Sequence, residues 1–347
     1  MTVAKPGVAV IGAGYWGKNL VRNMAQLESL VAVCDASPAV RERIAGNHPG
    51  VRVTDDLQSV LEDPRVDAVM VVVPSSAHFE IAKRALLAGK HTYVEKPIAH
   101  AVARAEELVA LAEARDLRLM VGHLLLYHPC ITWIKDAIAS GELGRVLYMT
   151  CQRVNLGKVR SDENAMWSLA PHDVSVILHL LGESPSEVSA QGLTYLQTQP
   201  GVEDVVFMTL RYADGRAAHI HVSWLDPHKR RTLNVVGTKK MVCFDDMSAE
   251  KIRVFDKGVE GLDTAPEYAS YGDLLTLRHG DILAPHIPMR EPLRALCEHF
   301  LEAVETGTRP LTDGVNGVDV LRVLDAAQRS LDAGGIPISL DDSGDAR

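Results

Sequence analysis

Residues Gly7-Val-Ala-Val-Ile11 and the following Gly12-Ala-Gly14-Tyr-Trp-Gly17 decide the fold of the first third of this chain. A short β-branched strand that leads into G-x-G-x-x-G at the start of a helix is typical of a dinucleotide-binding βαβ unit. Gly12 permits the tight turn, Gly14 lets the backbone approach a pyrophosphate, and Gly17 lets the helix lie close to the strand. The N–H groups of the helix terminus then face the anion.

A second strand, Leu30-Val-Ala-Val-Cys34, supports this interpretation because it ends in Asp35, 18 residues after Gly17. A carboxylate at this place binds the adenosine ribose hydroxyls. It would repel a 2′-phosphate, so we expect NAD rather than NADP as the cofactor. Ser37 and Arg41 lie close by and leave NADP as an alternative.

The composition indicates an ordinary globular protein, with 347 residues, 47% hydrophobic and 23% charged. This length suits two domains. The five cysteines are scattered and never form C-x-x-C, which favours free thiols in a reducing cytoplasm and predicts no metal site. The net charge of −9 disfavours nucleic acid as a partner. No apolar run reaches membrane-span length and no signal peptide is visible, so we expect a cytoplasmic protein without membrane contact.

Strands and helices alternate up to about residue 125, which predicts an α/β domain with a doubly wound parallel sheet over residues 1–125. Residues 126–340 read as a second, α+β domain with an open, mainly antiparallel sheet. In this half we expect one long helix over Pro171 to Leu181 and two closing helices, Glu291 to Thr306 and Val315 to Ala333. Residues 258–290 read as a long loop, of the kind that often carries function.

Glu95-Lys96-Pro97 follows a predicted strand, at the sheet edge where open α/β sheets place their ligands. A proline at this position could hold a cis peptide and direct Lys96 into the crevice. The alternative is a solvated strand end.

His172 lies in the segment Trp167-Ser-Leu-Ala-Pro-His172-Asp173, which opens the predicted long helix. The positive end of the helix dipole would lower the pKa of His172 and favour the neutral form that a general base requires. The alternative is a histidine that only caps or packs there.

The preceding segment, Arg153 to Asn164, carries three cations and two asparagines, which suits a polyanionic, hydroxyl-rich ligand. A solvated loop is the other possibility. These polar residues are Arg153, Asn155, Lys158, Arg160 and Asn164.

Together these features resemble the glucose–fructose oxidoreductase / inositol dehydrogenase (Gfo/Idh/MocA) family over nearly the whole chain. The motifs that carry the resemblance are Gly12 to Gly17, Asp35, Val73 to His78, Ala88 to His91, Glu95 to Pro97, Gly122 to Pro129, and His172 ten residues before Gly182. The resemblance implies a Rossmann domain followed by an α/β domain whose open sheet mediates oligomerisation. It also implies that Lys96 and His172 face the nicotinamide and the reacting carbinol.

The chain departs from the family pattern at Ser168, where many relatives carry the aspartate of an Asp–His dyad. Leu125 and Leu126 replace arginines, and both differences make simple polyol oxidation less expected. Gly122 to Pro129, Asn155 to Arg160 and Thr312-Asp-Gly314 instead resemble a subgroup that oxidises the 3-hydroxyl of a UDP-N-acetylhexosamine.

We therefore predict an NAD-dependent dehydrogenase acting on UDP-N-acetylglucosamine or its uronate, as a homodimer or homotetramer through the C-terminal sheet. The alternatives are an NADP-dependent 3-ketoreductase of a deoxysugar pathway, a polyol or inositol dehydrogenase, and a cofactor-binding redox regulator. The predicted catalytic residues are Lys96 and His172. The predicted cofactor-binding residues are Gly12, Gly14, Tyr15, Trp16, Gly17, Asp35, Pro74, Ser75, His78, Glu95 and Lys96. The predicted substrate-binding residues are Lys96, Tyr127, Arg153, Asn155, Lys158, Arg160, Asn164, Trp167 and His172.

Overall fold

The computed structural model describes residues 5–157, 159–160, 163–196, 202–260 and 276–340. The chain forms two compact units. The first unit contains residues 1–127 and 290–322, and the second contains residues 128–289 and 323–347. The sequence places the whole of residues 126–340 in one domain, so the return of residues 290–322 to the first unit differs from that expectation.

The first unit is built on a six-stranded parallel sheet with strand order β3-β2-β1-β4-β5-β6. This order is that of a Rossmann sheet, and the predicted doubly wound fold is confirmed. Its strands are β1 (Val8–Ile11), β2 (Leu30–Cys34), β3 (Arg52–Thr54), β4 (Ala68–Val71), β5 (His91–Val94) and β6 (Leu119–Val121). Its helices are α1 (Gly17–Gln26), α2 (Pro38–Asn47), α3 (Leu57–Leu61), α4 (His78–Leu87), α5 (Val102–Ala114) and α8 (Pro292–Thr306).

Helix α8 completes the core of the first unit, although almost the whole second unit precedes it in the chain. Its buried face packs into the cluster formed by β1, α1 and the central strands. Phe300 of α8 is fully buried and lies 6.0 Å from Tyr93 of β5, measured between ring centroids. The end of β5 is therefore supported from beneath by a segment more than 200 residues away in sequence.

The second unit is built on a nine-stranded sheet with strand order β14-β13-β12-β11-β7-β10-β9-β8-β15. Among the described strands only the β7–β10 pair is parallel, so the sheet is mainly antiparallel, as the sequence predicts. Its strands are β7 (Val146–Val154), β8 (Glu187–Leu193), β9 (Val205–Arg211), β10 (Ala217–Ser223), β11 (Arg230–Gly237), β12 (Met241–Asp245), β13 (Ile252–Glu260), β14 (Thr276–Leu283) and β15 (Ile338–Ser339). Its helices are α6 (Pro129–Ala139) and α7 (Ala165–Leu181), and α9 (Gly314–Asp332) begins in the first unit and ends in the second.

Helix α7 covers one face of this sheet over β7, β9 and β10, and among the described residues the opposite face, called the open face below, exposes Tyr148 and Phe207. Burial alternates along the strands accordingly. In β7 the side chains of Met149 and Cys151 face the helix and are buried, whereas Tyr148 on the opposite face is 43% exposed.

The prediction of a loop over residues 258–290 is wrong for residues 258–260 and 276–283, which lie in β13 and β14, and agrees with the structure over residues 284–290. β13 and β14 pair antiparallel, with Val259 opposite Leu277. The sequence missed β14 and the end of β13 because Gly, His and Asp residues interrupt the alternation expected of a strand. Within the described residues, no helix is long and apolar enough to cross a membrane, and no three potential metal-ligating side chains cluster together.

Candidate active site

The glycine-rich turn between β1 and α1 uses its three glycines in three different ways. Gly12 has a φ of +91°, and a β-carbon there would lie 2.6 Å from the carbonyl oxygen of Val72. A β-carbon on Gly17 would lie 2.0 Å from the carbonyl oxygen of Gly12. Gly14, by contrast, has no atom within 4 Å of that position. Packing thus requires Gly12 and Gly17, whereas Gly14 leaves open space where a pyrophosphate can approach the backbone.

Asp35 lies beside this turn, as the cofactor prediction requires. One carboxylate oxygen accepts the Ala13 N–H at 2.7 Å, and the other accepts the Ser37 N–H at 2.8 Å. Each oxygen keeps a further lone pair with which it can accept a ribose hydroxyl. Arg41, the residue that left NADP open, donates to the Asp35 carbonyl at 2.9 Å and pairs with Asp55 at 3.0 Å.

Glu95 joins the glycine turn to the end of β5. Its Oε1 accepts the indole N–H of Trp16 at 2.7 Å and the hydroxyl of Tyr93 at 2.6 Å. A β-carbon on Gly122 would lie only 2.5 Å from that hydroxyl, so glycine is required there. Burial raises the pKa of Tyr93, which therefore remains a donor. The predicted cofactor residues Trp16 and Glu95 thus contact each other.

Tyr93 is a partner that the sequence analysis missed. A tyrosine inside an apolar strand reads as a core residue, and nothing in its spacing shows that its hydroxyl reaches Glu95. Tyr15, the other aromatic residue of the turn, is 90% exposed.

Lys96 follows Glu95 and is half-buried, and the Lys96–Pro97 peptide is cis, as predicted. His78 is buried beneath this turn. Its Nδ1 lies 2.7 Å from the Pro97 carbonyl oxygen and its Nε2 lies 3.0 Å from the Val73 carbonyl oxygen. Burial lowers the pKa of His78. The neutral ring carries one N–H and can donate to only one of these carbonyls, so His78 can serve a cofactor site by packing between the two strand ends.

Pro74 and Ser75 lie in the short 3₁₀ turn that links β4 to α4. The Ser75 hydroxyl lies 3.0 Å from Nε2 of His100. These two predicted cofactor residues therefore stand at the carboxyl edge of the parallel sheet, with the glycine turn and Lys96.

Tyr127 is the last residue of the first segment of the first unit. Its hydroxyl lies 3.1 Å from the hydroxyl of Thr312, and burial raises its pKa. A tyrosine in this state is a poor proton acceptor. Nearby, Nδ1 of His123 lies 2.7 Å from the Asn316 carboxamide oxygen, and burial lowers the pKa of His123 to about 4.

In the second unit, His172 lies on α7, but not where the sequence places it. The helix begins at Ala165, capped by the Asn164 side chain, which accepts the Trp167 N–H at 3.0 Å. Pro171 lies inside the helix, so His172 is its eighth residue. The prediction that His172 lies at a helix start is therefore wrong, and the dipole effect, which fades within the first turn, does not reach it.

Arg153 does not present the uncompensated cation that the sequence suggests. Its Nε and one terminal nitrogen each donate to Asp173 at 2.9 Å, forming a bidentate pair between β7 and α7. Both residues are buried. Asp173 already neutralises this guanidinium, so Arg153 is not available to a substrate phosphate as the sequence suggests.

Two of the other predicted substrate residues in this unit, Asn164 and Trp167, share a hydrogen-bond partner. Asn164 is buried and donates to Glu203 at 2.7 Å and to Gln328 at 3.1 Å. The indole N–H of Trp167 donates to the same oxygen of Gln328 at 2.9 Å. Gln328 lies more than 160 residues away in sequence, and nothing in the sequence indicates this contact.

The loop after β7 is tied to the end of β10. The Asn155 N–H donates to the Ser223 carbonyl at 3.2 Å, and Gly157 packs against the Asn155 side chain. Arg160 pairs with Glu163 at 3.0 Å and is half-exposed. Lys158 lies outside the described residues.

Two family models match the chain. An oxidoreductase family model with an NAD-binding Rossmann fold, GFO_IDH_MocA, covers residues 7–123. A GFO/IDH/MocA C-terminal domain model covers residues 131–243. Together they cover more than half of the chain.

Curated relatives match along nearly the full length. A UDP-N-acetylglucosamine 3-dehydrogenase from Acidithiobacillus ferrooxidans is 27% identical, covering 90% of this chain and 93% of that protein. A scyllo-inositol 2-dehydrogenase (NAD(+)) from Bacillus subtilis is 24% identical, covering 96% of each. A solved structure of the former enzyme superposes with a TM-score of 0.81 at 23% identity, covering 96% of this chain and 99% of the other. At 23% identity the structural match shows that the two proteins share a fold.

Proposed function

Because the chain belongs to the Gfo/Idh/MocA oxidoreductase family, we propose that it is an NAD-dependent dehydrogenase that oxidises the 3-hydroxyl of a nucleotide-linked amino sugar. The substrate we favour is UDP-N-acetylglucosamine or its uronate. The proposed NAD-dependent dehydrogenase activity rests on the carboxyl edge of the first sheet. There the exposed Gly14, with open space beside its backbone, lies next to Asp35 and the Glu95–Lys96 turn. The substrate part is supported by the relative that acts on UDP-N-acetylglucosamine and matches 90% of this chain.

The residues of the first unit fit NAD at three points. Gly14 leaves room for the pyrophosphate, Asp35 has lone pairs for the ribose hydroxyls, and Trp16 is fixed beside the strand end by Glu95. When bound, the nicotinamide would accept the hydride that leaves C3 of the sugar.

Lys96 and His172 are the residues to which we assign the proton chemistry. The Lys96 ammonium would stabilise the negative charge that develops on the 3-oxygen, as a preorganised cation does in a water-poor site. His172 would accept the hydroxyl proton as a general base. Asp173 is engaged by Arg153, and burial raises the pKa of Tyr127, so neither residue is suited to that role.

An inositol dehydrogenase is the second candidate, because a scyllo-inositol 2-dehydrogenase matches the chain over 96% of its length. Ser168, which replaces the aspartate of the family's Asp–His dyad, favours the nucleotide-sugar assignment. The alternatives that use NADP are opposed by the Asp35 carboxylate beside the ribose position.

The test is a substrate and cofactor screen of the purified chain. We expect UDP-N-acetylglucosamine or its uronate to raise the melting temperature of the NAD complex by mass action. Free N-acetylglucosamine and myo-inositol should give no shift and no NADH. Turnover of inositol equal to that of any nucleotide sugar would overturn the substrate assignment, and tighter binding of NADP than of NAD would overturn the cofactor assignment.

We further propose that the open face of the second sheet joins copies of this chain into a homodimer or homotetramer. Large side chains lie exposed there: Tyr148 at 43%, and Phe207 at 48% with its ring stacked 4.4 Å from His221. Sedimentation velocity of the wild type and of Phe207→Glu tests this proposal, since a charge on a buried oligomer face should release monomers.

A further inference from the structure

Arg231 of β11 lies beside the Arg153–Asp173 ion pair. Arg231 stands directly opposite Arg153 in the antiparallel β7–β11 pair. Residues directly opposite each other project from the same face of a sheet. Arg231 therefore shares with Arg153 the face that α7 covers, and Asp173, the acid on α7, immediately follows His172 in the sequence.

The acid nearest to Arg231 is already shared among other groups. A terminal nitrogen of Arg231 lies 3.9 Å from Asp246, at the limit of an ion pair. The same carboxylate lies 3.4 Å from the Lys251 ammonium and 3.6 Å from Nε2 of His128. The contact with His128 is the main reason that the pKa of Asp246 falls to about 2.

The charges of this cluster do not balance among the described residues. It contains three permanent cations (Arg153, Arg231 and Lys251) but two carboxylates, those of Asp173 and Asp246. Asp173 accepts two hydrogen bonds from Arg153. The excess positive charge therefore falls on Arg231.

A bound anion would stabilise the positive charge of Arg231. Its side chain is 44% exposed, so a ligand can reach it. Burial of the remainder, followed by the positive charge of Arg153, lowers the pKa of Arg231. A half-buried guanidinium with a like charge beside it gains most from an oxyanion that can accept two parallel hydrogen bonds.

We propose that Arg231 binds an oxyanion group of the substrate, a phosphate or a carboxylate, on the α7 side of the second unit. This role replaces the one that the sequence suggested for Arg153. It rests on the proposed function only in assigning the oxyanion to a nucleotide sugar. Both the diphosphate and the uronate carboxylate have the required chemistry.

Arg230 offers a matched control. It precedes Arg231 in the same strand, and because side chains alternate along a strand it faces the opposite side of the sheet. Arg230→Gln and Arg231→Gln therefore remove the same charge from adjacent positions, and only one of them lies beside the Arg153–Asp173 pair.

The first arm measures binding of inorganic pyrophosphate to the full chain by calorimetry, with no substrate or turnover involved. We expect Arg231→Gln to weaken binding about tenfold or more, and Arg230→Gln to leave it unchanged. Arg231→Lys should bind at an intermediate level, and it replaces the glutamine variant if that variant does not fold. No pyrophosphate binding by the wild type, or equal losses in the two glutamine variants, would overturn the proposal.

The second arm measures kinetics with UDP-N-acetylglucosamine and with its uronate. Arg231→Gln should raise KM about tenfold and leave kcat and the KM for NAD near their wild-type values. An increase for both sugars identifies the diphosphate as the ligand, and an increase for the uronate alone identifies the carboxylate. An unchanged KM for both sugars contradicts a substrate role for Arg231. If neither sugar is turned over, the proposed function fails, and the pyrophosphate arm still decides whether Arg231 binds an oxyanion.

Discussion

The glycine turn of the first unit and the β7–α7 segment of the second were both predicted as ligand sites, but they are built from different features. At the glycine turn the features that matter belong to the backbone: a positive φ at Gly12 and open space at Gly14. At β7 and α7 they belong to side chains, and Arg153, Asn164 and Trp167 are all occupied by other side chains. Backbone sites can be identified from local sequence, whereas the availability of a charge depends on partners brought in by the fold.

The largest expected effects concern one residue from each unit. Lys96→Ala and His172→Ala should each reduce kcat by about 10²–10⁴-fold, because both variants remove a group that handles the proton. The dissociation constant for NAD, measured by fluorescence titration, should stay near the wild-type value. Lys83→Ala is the control, since Lys83 is paired with Glu107 on the surface of the same unit. Ordinary turnover by His172→Ala would remove the proposed base.

Arg153→Met tests whether the β7–α7 segment depends on side-chain pairing. The variant leaves Asp173 buried without a partner, and we expect the free energy of unfolding to fall by about 3–5 kcal/mol. Arg160→Met, which breaks a surface pair, should cost at most about 1 kcal/mol. Urea denaturation followed by circular dichroism measures both. Adding Asp173→Leu to Arg153→Met should restore part of the lost stability. Equal stabilities of Arg153→Met and Arg160→Met would contradict a stabilising role for the buried pair.

His123 of the first unit is an exception to the contrast between backbone and side-chain sites, because its side chain has a fixed partner, Asn316. Its pKa of about 4 lies below that of an unfolded histidine, about 6.5. As the pH falls through 6.5, His123 becomes protonated in the unfolded chain but stays neutral in the folded chain. Stability should therefore be complete above pH 6.5 and fall by up to about 3 kcal/mol on acidification toward pH 4.

Chemical denaturation at pH 7.5 and pH 5 measures this effect. His123→Gln keeps a donor for Asn316 and does not titrate, so it should flatten the dependence. His228→Gln changes an exposed histidine and should leave the slope as it is. A His123→Gln slope identical to that of the wild type would show that other groups cause the acid sensitivity.

The smallest effect compares two glycines of one turn. Gly12→Ala forces a β-carbon against a carbonyl, and we expect it to lower the free energy of unfolding by about 1–3 kcal/mol. Gly14→Ala should leave the stability of the free protein unchanged and weaken NAD binding about tenfold, which is about 1.4 kcal/mol. Thermal melts with and without NAD separate the two outcomes. A Gly14→Ala variant that binds NAD normally would place the pyrophosphate elsewhere.

The sequence predicted the first unit well because its signals are local. The G-x-G-x-x-G turn, Asp35 after β2 and the Lys96–Pro97 turn each depend on a few neighbouring residues. The sequence failed where the deciding contact is distant. The Arg153–Asp173 pair spans 20 residues and needs α7 packed on β7. Pro171 reads as a helix start because proline favours the first helical position, so the true cap at Asn164 was missed.

The route of the chain through the first unit bears on synthesis. A nascent chain of 127 residues contains every strand of the parallel sheet, but it lacks α8, whose Phe300 packs against Tyr93 beneath the Glu95–Lys96 turn. That helix leaves the ribosome only after the whole of residues 128–289. The nucleotide-binding unit therefore completes its core late in translation, and a gene fragment that ends at residue 127 should not yield a stable NAD-binding domain.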